Sequence, residues 1–238
     1  MRFAINGFGR VGRTLLRVYA SREDARARLT LAAINEIADA DTVVHLARYD
    51  SNYGRYPGAI ARAASSLVID QCSVPLSHVA EVALLPWQQH QIDLVLECTG
   101  AFTDRITAEQ HLQAGASRVL FSQPAESDVD ETIVYGVNSD SLSADMTVVS
   151  AASCTTNAVV PVLATLSRAV GIEAATITTI HSLMNDQPVL DAYHHTDLRK
   201  TRAASQSIIP VDTGLAVGIE RILPDLSGKL SAINPGIP

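Results

Sequence analysis

Two side chains in the second half of the chain could act as a nucleophile and its base. Cys154 opens a segment with the pattern of an amphipathic helix, so its thiol is predicted at a helix N-terminus, where the dipole favours the thiolate. His181 follows a Thr-rich strand predicted at residues 176–180, and loops at strand ends carry much of the chemistry of α/β proteins. A histidine within reach of such a thiol makes an ion-paired nucleophile. We therefore predict that Cys154 and His181 are catalytic, although a cysteine among small residues is more often inert.

A glycine-rich turn near the N-terminus is the second candidate site. The sequence Gly-Phe-Gly-Arg-Val-Gly at residues 7–12 follows a predicted strand and opens a predicted helix, and the next strand ends at Glu36. Such glycines allow a tight turn and the close approach of a pyrophosphate, which then faces the N–H groups of the helix N-terminus. The Glu36 carboxylate can accept hydrogen bonds from ribose hydroxyls and would repel a 2′-phosphate, which favours NAD over NADP. The alternative is a structural turn beside a solvated glutamate.

The elements that must position these residues alternate between strands and helices. Strands are predicted at residues 2–6, 29–34, 92–96, 118–121, 132–135 and 147–149, with helices at 39–46 and 104–114 between them. This alternation predicts an α/β fold with a Rossmann-type, doubly wound, mostly parallel sheet. The pattern changes after about residue 152, where a helix containing Pro161 is expected to kink or to start late. We therefore predict two domains, at residues 1–153 and 154–238.

Composition excludes several classes of function. The 238 residues carry a formal net charge of −7, with 47% hydrophobic and 18% charged residues, which excludes a disordered chain and argues against nucleic acid as a partner. No apolar run has the length of a membrane helix and no signal-peptide core is visible, so we expect a cytoplasmic protein without a membrane partner. The 3 cysteines are too scattered for a disulfide framework or a metal site. Most histidines other than His181 lie in polar stretches and are interpreted as solvated.

Several short motifs carry a resemblance to a known enzyme family. They are Asn6-Gly7-Phe8-Gly9-Arg10, Cys98-Thr99-Gly100, Ser153-Cys154-Thr155-Thr156-Asn157, Thr179-Ile180-His181-Ser182 and Asn185-Asp186-Gln187. Together they resemble the glyceraldehyde-3-phosphate dehydrogenase family of the phosphorylating type. The resemblance extends from Arg2 to about Ile233. Finer features resemble the erythrose-4-phosphate dehydrogenase branch of that family. These are Leu85-Pro86-Trp87, Val134-Tyr135-Gly136-Val137-Asn138, Met184, Ala192-Tyr193 and the segment at residues 205–213.

The resemblance implies an activity and a set of site residues. The implied activity is NAD-dependent oxidation of D-erythrose 4-phosphate to 4-phosphoerythronate through a thiohemiacetal and a thioester on Cys154, a step towards pyridoxal 5′-phosphate; glyceraldehyde-3-phosphate dehydrogenase is the alternative. His181 would activate the thiol. The implied cofactor-binding residues are Phe8, Gly9, Arg10, Val11, Glu36, Thr99, Gly100 and Ser122. The implied substrate-binding residues are Ser153, Thr155, Lys200, Thr213 and Gly214, with no metal. A homotetramer is implied as well.

The chain also departs from the family it resembles. Ala80 and Gly236 stand where the family usually has arginines, and Lys200 replaces another arginine, which keeps the charge but loses the bidentate fork. Family members are longer, so the resemblance implies a C-terminally truncated chain whose residues 154–238 form a partial α+β catalytic domain with an incomplete antiparallel sheet. We therefore expect the nucleotide domain to fold and bind NAD, with weak or absent turnover. A remnant that binds NAD and catalyses little is the third interpretation.

Overall fold

The computed structural model describes residues 1–183, 187–193, 197–211 and 214–236. The chain divides into two compact units, the first formed by Met1–Ile133 with Asp140–Ala152 and the second by Val134–Ser139 with Ser153–Pro238. Each unit contains its own sheet and its own helices, and each contains one of the two candidate sites.

The first unit contains eleven described strands and five α-helices. The strands are β1 (Arg2–Asn6), β2 (Thr30–Asn35), β3 (Tyr49–Asp50), β4 (Gly54–Arg55), β5 (Ile60–Ala63), β6 (Ser66–Ile69), β7 (Cys72–Ser77), β8 (Leu94–Glu97), β9 (Arg118–Phe121), β10 (Glu131–Thr132) and β11 (Val148–Ser150). The helices are α1 (Arg10–Ser21), α2 (Glu23–Arg28), α3 (Ala40–Arg48), α4 (Trp87–His90) and α5 (Arg105–Gln113). The predicted alternation of strands and helices is confirmed.

A nine-stranded, mostly parallel sheet forms the centre of this unit. Its strand order is β10-β11-β9-β8-β1-β2-β7-β6-β5. The strands from β10 to β7 run parallel, and β6 and β5 extend the edge as antiparallel strands. The chain moves outward from β1 to β2 and later returns to the other side of β1 at β8. Open α/β sheets bind ligands at such a reversal, outside the carboxyl ends of the strands.

Apolar residues cover both faces of the central strands. In β1, neighbouring residues Ala4 and Ile5 are both fully buried, although their side chains point to opposite faces. Ile5 packs in the cluster that contains Leu16 of α1, whereas Ala4 packs in the cluster that contains Trp87 of α4. Burial on both faces explains why the predicted strands read as continuous apolar runs. Because both faces are covered, polar functional groups are expected at the ends of the strands.

The second unit is smaller, and its described residues form a three-stranded sheet. Its elements are α6 (Cys154–Val170), β12 (Ala175–Thr178), β13 (Ile209–Val211), α7 (Leu215–Ile222) and β14 (Leu230–Gly236). The central strand β14 pairs antiparallel with β13 but parallel with β12, so the sheet is mixed where an antiparallel one was expected. Among the described residues, no helix combines the length and apolarity needed to cross a membrane.

Helix α6 does not have the late start that was one of our two expectations for a helix containing Pro161. Pro161 lies inside an unbroken helix, so the prediction of a late start is wrong. The helix begins at Cys154 because Ser153 caps it, with the Ser153 Oγ accepting a hydrogen bond from the Thr156 N–H at 2.9 Å. This cap places the Cys154 thiol in the first turn of the helix.

Candidate active site

The glycine turn between β1 and α1 has a geometry that side chains would block. Gly7 has a φ of +86°, and a Cβ added there would lie 2.6 Å from the Thr99 backbone nitrogen. A Cβ on Gly12 would lie 2.3 Å from the Gly7 carbonyl oxygen. A Cβ on Gly9 would meet no atom within 4 Å, so the space beside this residue is open. The first and third glycines therefore close the turn, and the middle one faces the space that a ligand can occupy.

The N-terminus of α1 is suited to an anion. Its N-cap is Gly9, which supplies no side-chain hydrogen bond, and the first turn contains no acidic residue. The first backbone N–H groups of a helix have no partner within the helix, and the helix dipole adds a partial positive charge there. A pyrophosphate fits both properties.

A cavity of about 280 Å³ lies beside this turn, and we call it the nucleotide cleft. It is lined by Asn6, Gly7, Gly9, Asn35, Glu36, Ile37, Val79, Ala80, Val82, Leu85, Cys98, Thr99, Ala101 and Phe102. Its wall is mostly apolar, with polar groups at the ends of β1, β2 and β8. A mostly apolar wall with a few polar groups is typical of cofactor sites. The Gly7 to Gly12 turn and the uncapped helix therefore fit a dinucleotide such as NAD.

Glu36 lines the cleft with a carboxylate that is already held by backbone amides. One oxygen accepts a hydrogen bond from the Phe8 N–H at 2.7 Å, and the other accepts one from the Ala38 N–H at 3.1 Å. These bonds fix the orientation of the side chain. A carboxylate can accept about four hydrogen bonds, so two acceptor positions stay available to ribose hydroxyls.

Five further residues predicted to bind the cofactor do not line the cleft. The Phe8 side chain is buried in the core, and Arg10 forms an ion pair with Asp50 at 3.2 Å. Val11 is exposed, and Gly100 has a φ of +73° in the turn after Thr99. The Ser122 hydroxyl donates to the side-chain oxygen of Gln123 at 2.9 Å. Among the predicted residues, the structure thus brings Gly9, Glu36 and Thr99 together at the cleft.

Sequence reasoning missed a buried carboxylate next to the cleft. Glu97 ends β8 and is fully buried. It accepts hydrogen bonds from the Asn6 side-chain amide at 2.6 Å, from the Thr99 N–H at 2.8 Å and from the Thr99 hydroxyl. His111 also contacts it and is fully buried, so it is an exception to the interpretation that most of the other histidines are solvated. A polar residue ending an apolar strand is the signal that could have pointed to Glu97.

In the second unit, Cys154 and His181 lie in contact. The Cys154 Sγ is 3.4 Å from the His181 Nε2 and 3.8 Å from the Thr155 hydroxyl. The other ring nitrogen of His181, Nδ1, is 2.7 Å from the Ser182 carbonyl oxygen, which can only accept a hydrogen bond. Nδ1 therefore carries a proton, and Nε2 is the nitrogen that can take a proton from the thiol.

The environment of Cys154 favours the thiolate over the thiol. Partial burial raises the pKa of the Cys154 thiol, but the hydrogen bond with His181, aided by Thr155 and by the charge of His181, outweighs burial and lowers that pKa below its ordinary value. Burial instead raises the pKa of the Cys98 thiol to about 12. Cys154 therefore combines exposure with an activated thiol, whereas Cys98 is buried.

The residues predicted to bind substrate occupy different positions in the second unit. Ser153 is the N-cap of α6, and Thr155 is buried in its first turn. Gly214 is the N-cap of α7 and supplies no side-chain cap. Lys200 lies in a short 3₁₀ helix, Leu198–Thr201. Thr213 lies outside the described residues, as do Met184, Asn185 and Asp186 of the motifs noted above.

Comparison with protein families assigns both parts of the chain. Residues 1–105 match the model of the glyceraldehyde 3-phosphate dehydrogenase NAD binding domain. Residues 153–238 match the model of the glyceraldehyde 3-phosphate dehydrogenase C-terminal domain. The first match covers the glycine turn, Glu36 and Thr99, and it supports NAD as the cofactor. The second covers Cys154 and His181.

Proposed function

This chain belongs to the glyceraldehyde-3-phosphate dehydrogenase family, and on that premise we propose that it oxidises D-erythrose 4-phosphate to 4-phosphoerythronate with NAD. The observation that carries the chemistry is the 3.4 Å contact between the Cys154 Sγ and the His181 Nε2. A thiolate paired with a histidine at a helix N-terminus is suited to attack an aldehyde. We further propose the domain organisation predicted above, residues 1–153 for the cofactor and 154–238 for the substrate.

Cys154 and His181 perform the first step in this proposal. The thiol proton passes to the His181 Nε2, and the Cys154 Sγ forms a bond to the aldehyde carbon. The aldehyde oxygen takes up the proton that the His181 Nε2 received, which gives a thiohemiacetal on Cys154 and returns the imidazole to its neutral form. The hydrogen bond between the His181 Nδ1 and the Ser182 carbonyl keeps the ring in the tautomer that this transfer requires.

NAD, when bound, supplies the acceptor for the hydride that leaves the thiohemiacetal carbon. We propose that the Gly7 to Gly12 turn and the α1 N-terminus hold its pyrophosphate, with Glu36 and Thr99 holding further polar groups. The resemblance also implies cofactor contacts for five residues outside the lining of the cleft, and we include these contacts in the proposal: Phe8, Arg10, Val11, Gly100 and Ser122. His181 accepts the hydroxyl proton of the thiohemiacetal, so that the carbon stays on Cys154 as a thioester.

The thioester is then released by water. His181 first releases its proton to solvent. Water then adds its oxygen to the thioester carbon and gives a proton to the His181 Nε2, the C–S bond breaks, and the Cys154 thiolate is the leaving group. The product acid loses its remaining proton to solvent as 4-phosphoerythronate. We propose that Ser153, Thr155, Lys200, Thr213 and Gly214 contact the substrate or its phosphate. The helix dipole at the α7 N-terminus, where Gly214 supplies no side-chain cap, and the cation of Lys200 are suited to an anion.

The second candidate is glyceraldehyde-3-phosphate dehydrogenase, which the names of both matching family models favour. The two activities differ in the acyl acceptor, because a phosphorylating enzyme releases the thioester with inorganic phosphate whereas the proposed one uses water. The preference for erythrose 4-phosphate is supported by the branch features in the sequence, including Met184 where glycolytic members usually have threonine. The same resemblance supports a homotetramer working in the cytoplasm, with its product consumed in pyridoxal 5′-phosphate synthesis.

The test measures the absorbance of reduced cofactor formed by the purified chain with each aldehyde, with and without inorganic phosphate. Turnover of erythrose 4-phosphate without phosphate supports the proposal. Turnover only of glyceraldehyde 3-phosphate, and only with phosphate, supports the alternative. Binding of NAD without turnover of either aldehyde supports an NAD-binding chain with little activity. Cys154→Ser should abolish turnover, whereas Cys72→Ser, the same change at another exposed cysteine, should preserve it.

A further inference from the structure

A row of polar side chains crosses the first unit's sheet at the carboxyl ends of three adjacent strands. The strand register pairs Asn6 of β1 with Asn35 of β2 on one side and with Glu97 of β8 on the other. Asn6 is 2%, Asn35 4% and Glu97 0% exposed. Buried charged groups are rare unless they are paired and hydrogen-bonded. The mechanism above uses none of these three side chains, so their burial together calls for another role.

Glu97 is the centre of this row because four donors converge on its carboxylate. The Oε2 atom accepts from the Asn6 Nδ2 at 2.6 Å and lies 3.0 Å from the His111 Nε2. The Oε1 atom accepts from the Thr99 N–H at 2.8 Å and from the Thr99 hydroxyl. A carboxylate offers about four acceptor positions, so this one is saturated. It therefore cannot accept a hydrogen bond from a ligand and acts only on its neighbours.

Trp87 determines the direction of the His111 hydrogen bonds. The Trp87 indole N–H can only donate, and it lies 2.9 Å from the His111 Nδ1. The His111 Nδ1 is therefore an acceptor, and its Nε2 carries the proton that it donates to Glu97. Both rings are fully buried, so water cannot replace either bond.

The consequence appears at the nucleotide cleft, whose lining includes Asn6 and Thr99. The Thr99 hydroxyl gives its proton to Glu97 and accepts from the Ala101 N–H at 3.2 Å. Its oxygen can then offer a ligand only an acceptor, which suits a hydroxyl donor such as that of a ribose. The Asn6 amide is also oriented, because its Oδ1 accepts from the Asn35 Nδ2 at 2.8 Å.

We propose that Glu97 is a positioning residue for the cofactor, with His111 holding its carboxylate in place. Glu97 fixes Thr99 and Asn6 in the orientation in which they receive the ligand. The inference rests on the proposed placement of NAD in this cleft. It assigns a role in cofactor affinity to His111, which reaches the cleft only through Glu97.

A matched pair of variants at His111 tests this role in the full chain. His111→Gln keeps a side-chain N–H donor that can be directed to Glu97, whereas His111→Leu removes it; both remove the ring nitrogen that accepts from the Trp87 indole. Titration calorimetry with NAD should show binding weakened about ten-fold in His111→Leu, the equivalent of about one hydrogen bond. His111→Gln should bind NAD nearly as tightly as the unmodified chain. Emission from Trp87, the only tryptophan in the sequence, verifies that the core stays closed in both variants.

A second comparison separates positioning from general stability. Glu97→Gln leaves one acceptor oxygen for four donors, so at least two of them lose their partner, and NAD binding should weaken by about ten-fold or more. Val119→Ala removes volume from a fully buried position of β9 in another core cluster, so it should lower the melting temperature without changing NAD affinity.

Equal NAD affinity in the unmodified chain, Glu97→Gln and His111→Leu would overturn the inference, as would equal weakening in the two His111 variants. If Glu97→Gln does not fold, the His111 pair decides alone. If the unmodified chain binds no NAD, the proposed function fails first and this inference fails with it. The calorimetric result for the unmodified chain therefore distinguishes the two failures.

Discussion

Replacing the His181 imidazole should make Cys154 less reactive at neutral pH. The pKa of Cys154 reflects partial burial, which raises it, and the His181 hydrogen bond, which opposes burial and lowers it. His181→Asn removes the ring nitrogen that lies 3.4 Å from the Sγ, while the asparagine amide can still donate towards the Ser182 carbonyl. Without that hydrogen bond, the effect of burial on the Cys154 thiol is less fully offset, so the pKa of Cys154 rises. Because the fraction of thiolate at a given pH falls as the pKa rises, the whole alkylation profile should move to higher pH.

The separation of the two atoms limits the size of the effect. Opposite unit charges 3.4 Å apart attract by about 1 kcal/mol in a water-like dielectric and by about 5 kcal/mol at a dielectric of about 20. Cys154 is exposed, so solvent screening places the interaction near the lower value. Loss of about 1 kcal/mol predicts roughly five- to ten-fold slower alkylation at neutral pH. Turnover should fall further, by about 10² to 10⁴, because the general base is lost as well.

The assay follows alkylation by iodoacetamide across a pH series and maps the label by mass spectrometry. Cys154 should be labelled first in the unmodified chain, since Cys98 is buried and its thiol has a raised pKa. Thr155→Val is the matched control, because its hydroxyl lies 3.8 Å from the Sγ and contributes less than His181. It should move the profile in the same direction by a smaller amount. An unchanged profile in His181→Asn, or a larger change in Thr155→Val, would refute the reasoning.

Three further predictions follow from single contacts. Gly12→Ala would place a Cβ 2.3 Å from the Gly7 carbonyl oxygen and should abolish NAD binding by calorimetry; Gly9→Ala has open space and should leave the melting temperature unchanged. Ser153→Ala removes the α6 cap and should cost about 1 kcal/mol in urea unfolding, and no loss would show that the cap is dispensable. Glu36→Gln removes the charge that repels a 2′-phosphate, so the ratio of NADP to NAD affinity should rise; an unchanged ratio in competitive titrations would contradict this assignment.

The parts of the fold that depend on local signals could be predicted from the sequence. The glycine turn, the strand before it and the helix after it are adjacent in the chain, and their order alone indicates a nucleotide fold. The Asp39 side chain caps α3 by accepting from the N–H groups of Asp41 and Thr42, at the start of the helix predicted at residues 39–46. Local sequence could not show the parallel pairing of β12 with β14, which joins segments far apart in the chain.

The buried polar network escaped prediction for the same reason. Asn6, Asn35 and Glu97 are far apart in sequence and become neighbours only through the strand register. His111 lies between Gln110 and Leu112 in α5, where the local sequence does not reveal burial, but tertiary packing places it against Trp87. Residue type and spacing therefore indicated Cys154 and His181, whose chemistry is recognisable, and missed Glu97, whose role depends on its neighbours.

Glu36 and Glu97, the acidic residues at the ends of β2 and β8, have different roles at the nucleotide cleft. A sheet covered on both faces leaves only its strand ends for polar side chains, so both carboxylates lie there. Glu97 has its acceptor positions filled by four donors, whereas Glu36 accepts two backbone N–H bonds and has two positions left. Of the two carboxylates, therefore, only Glu36 can accept from the hydroxyl donors of a ligand, and Glu97 acts through the Thr99 oxygen that it orients. Glu36 thus binds the cofactor, whereas Glu97 orients the residues that bind it. Removing either carboxylate should weaken NAD binding, but only the change at Glu36 should alter the preference for NAD over NADP.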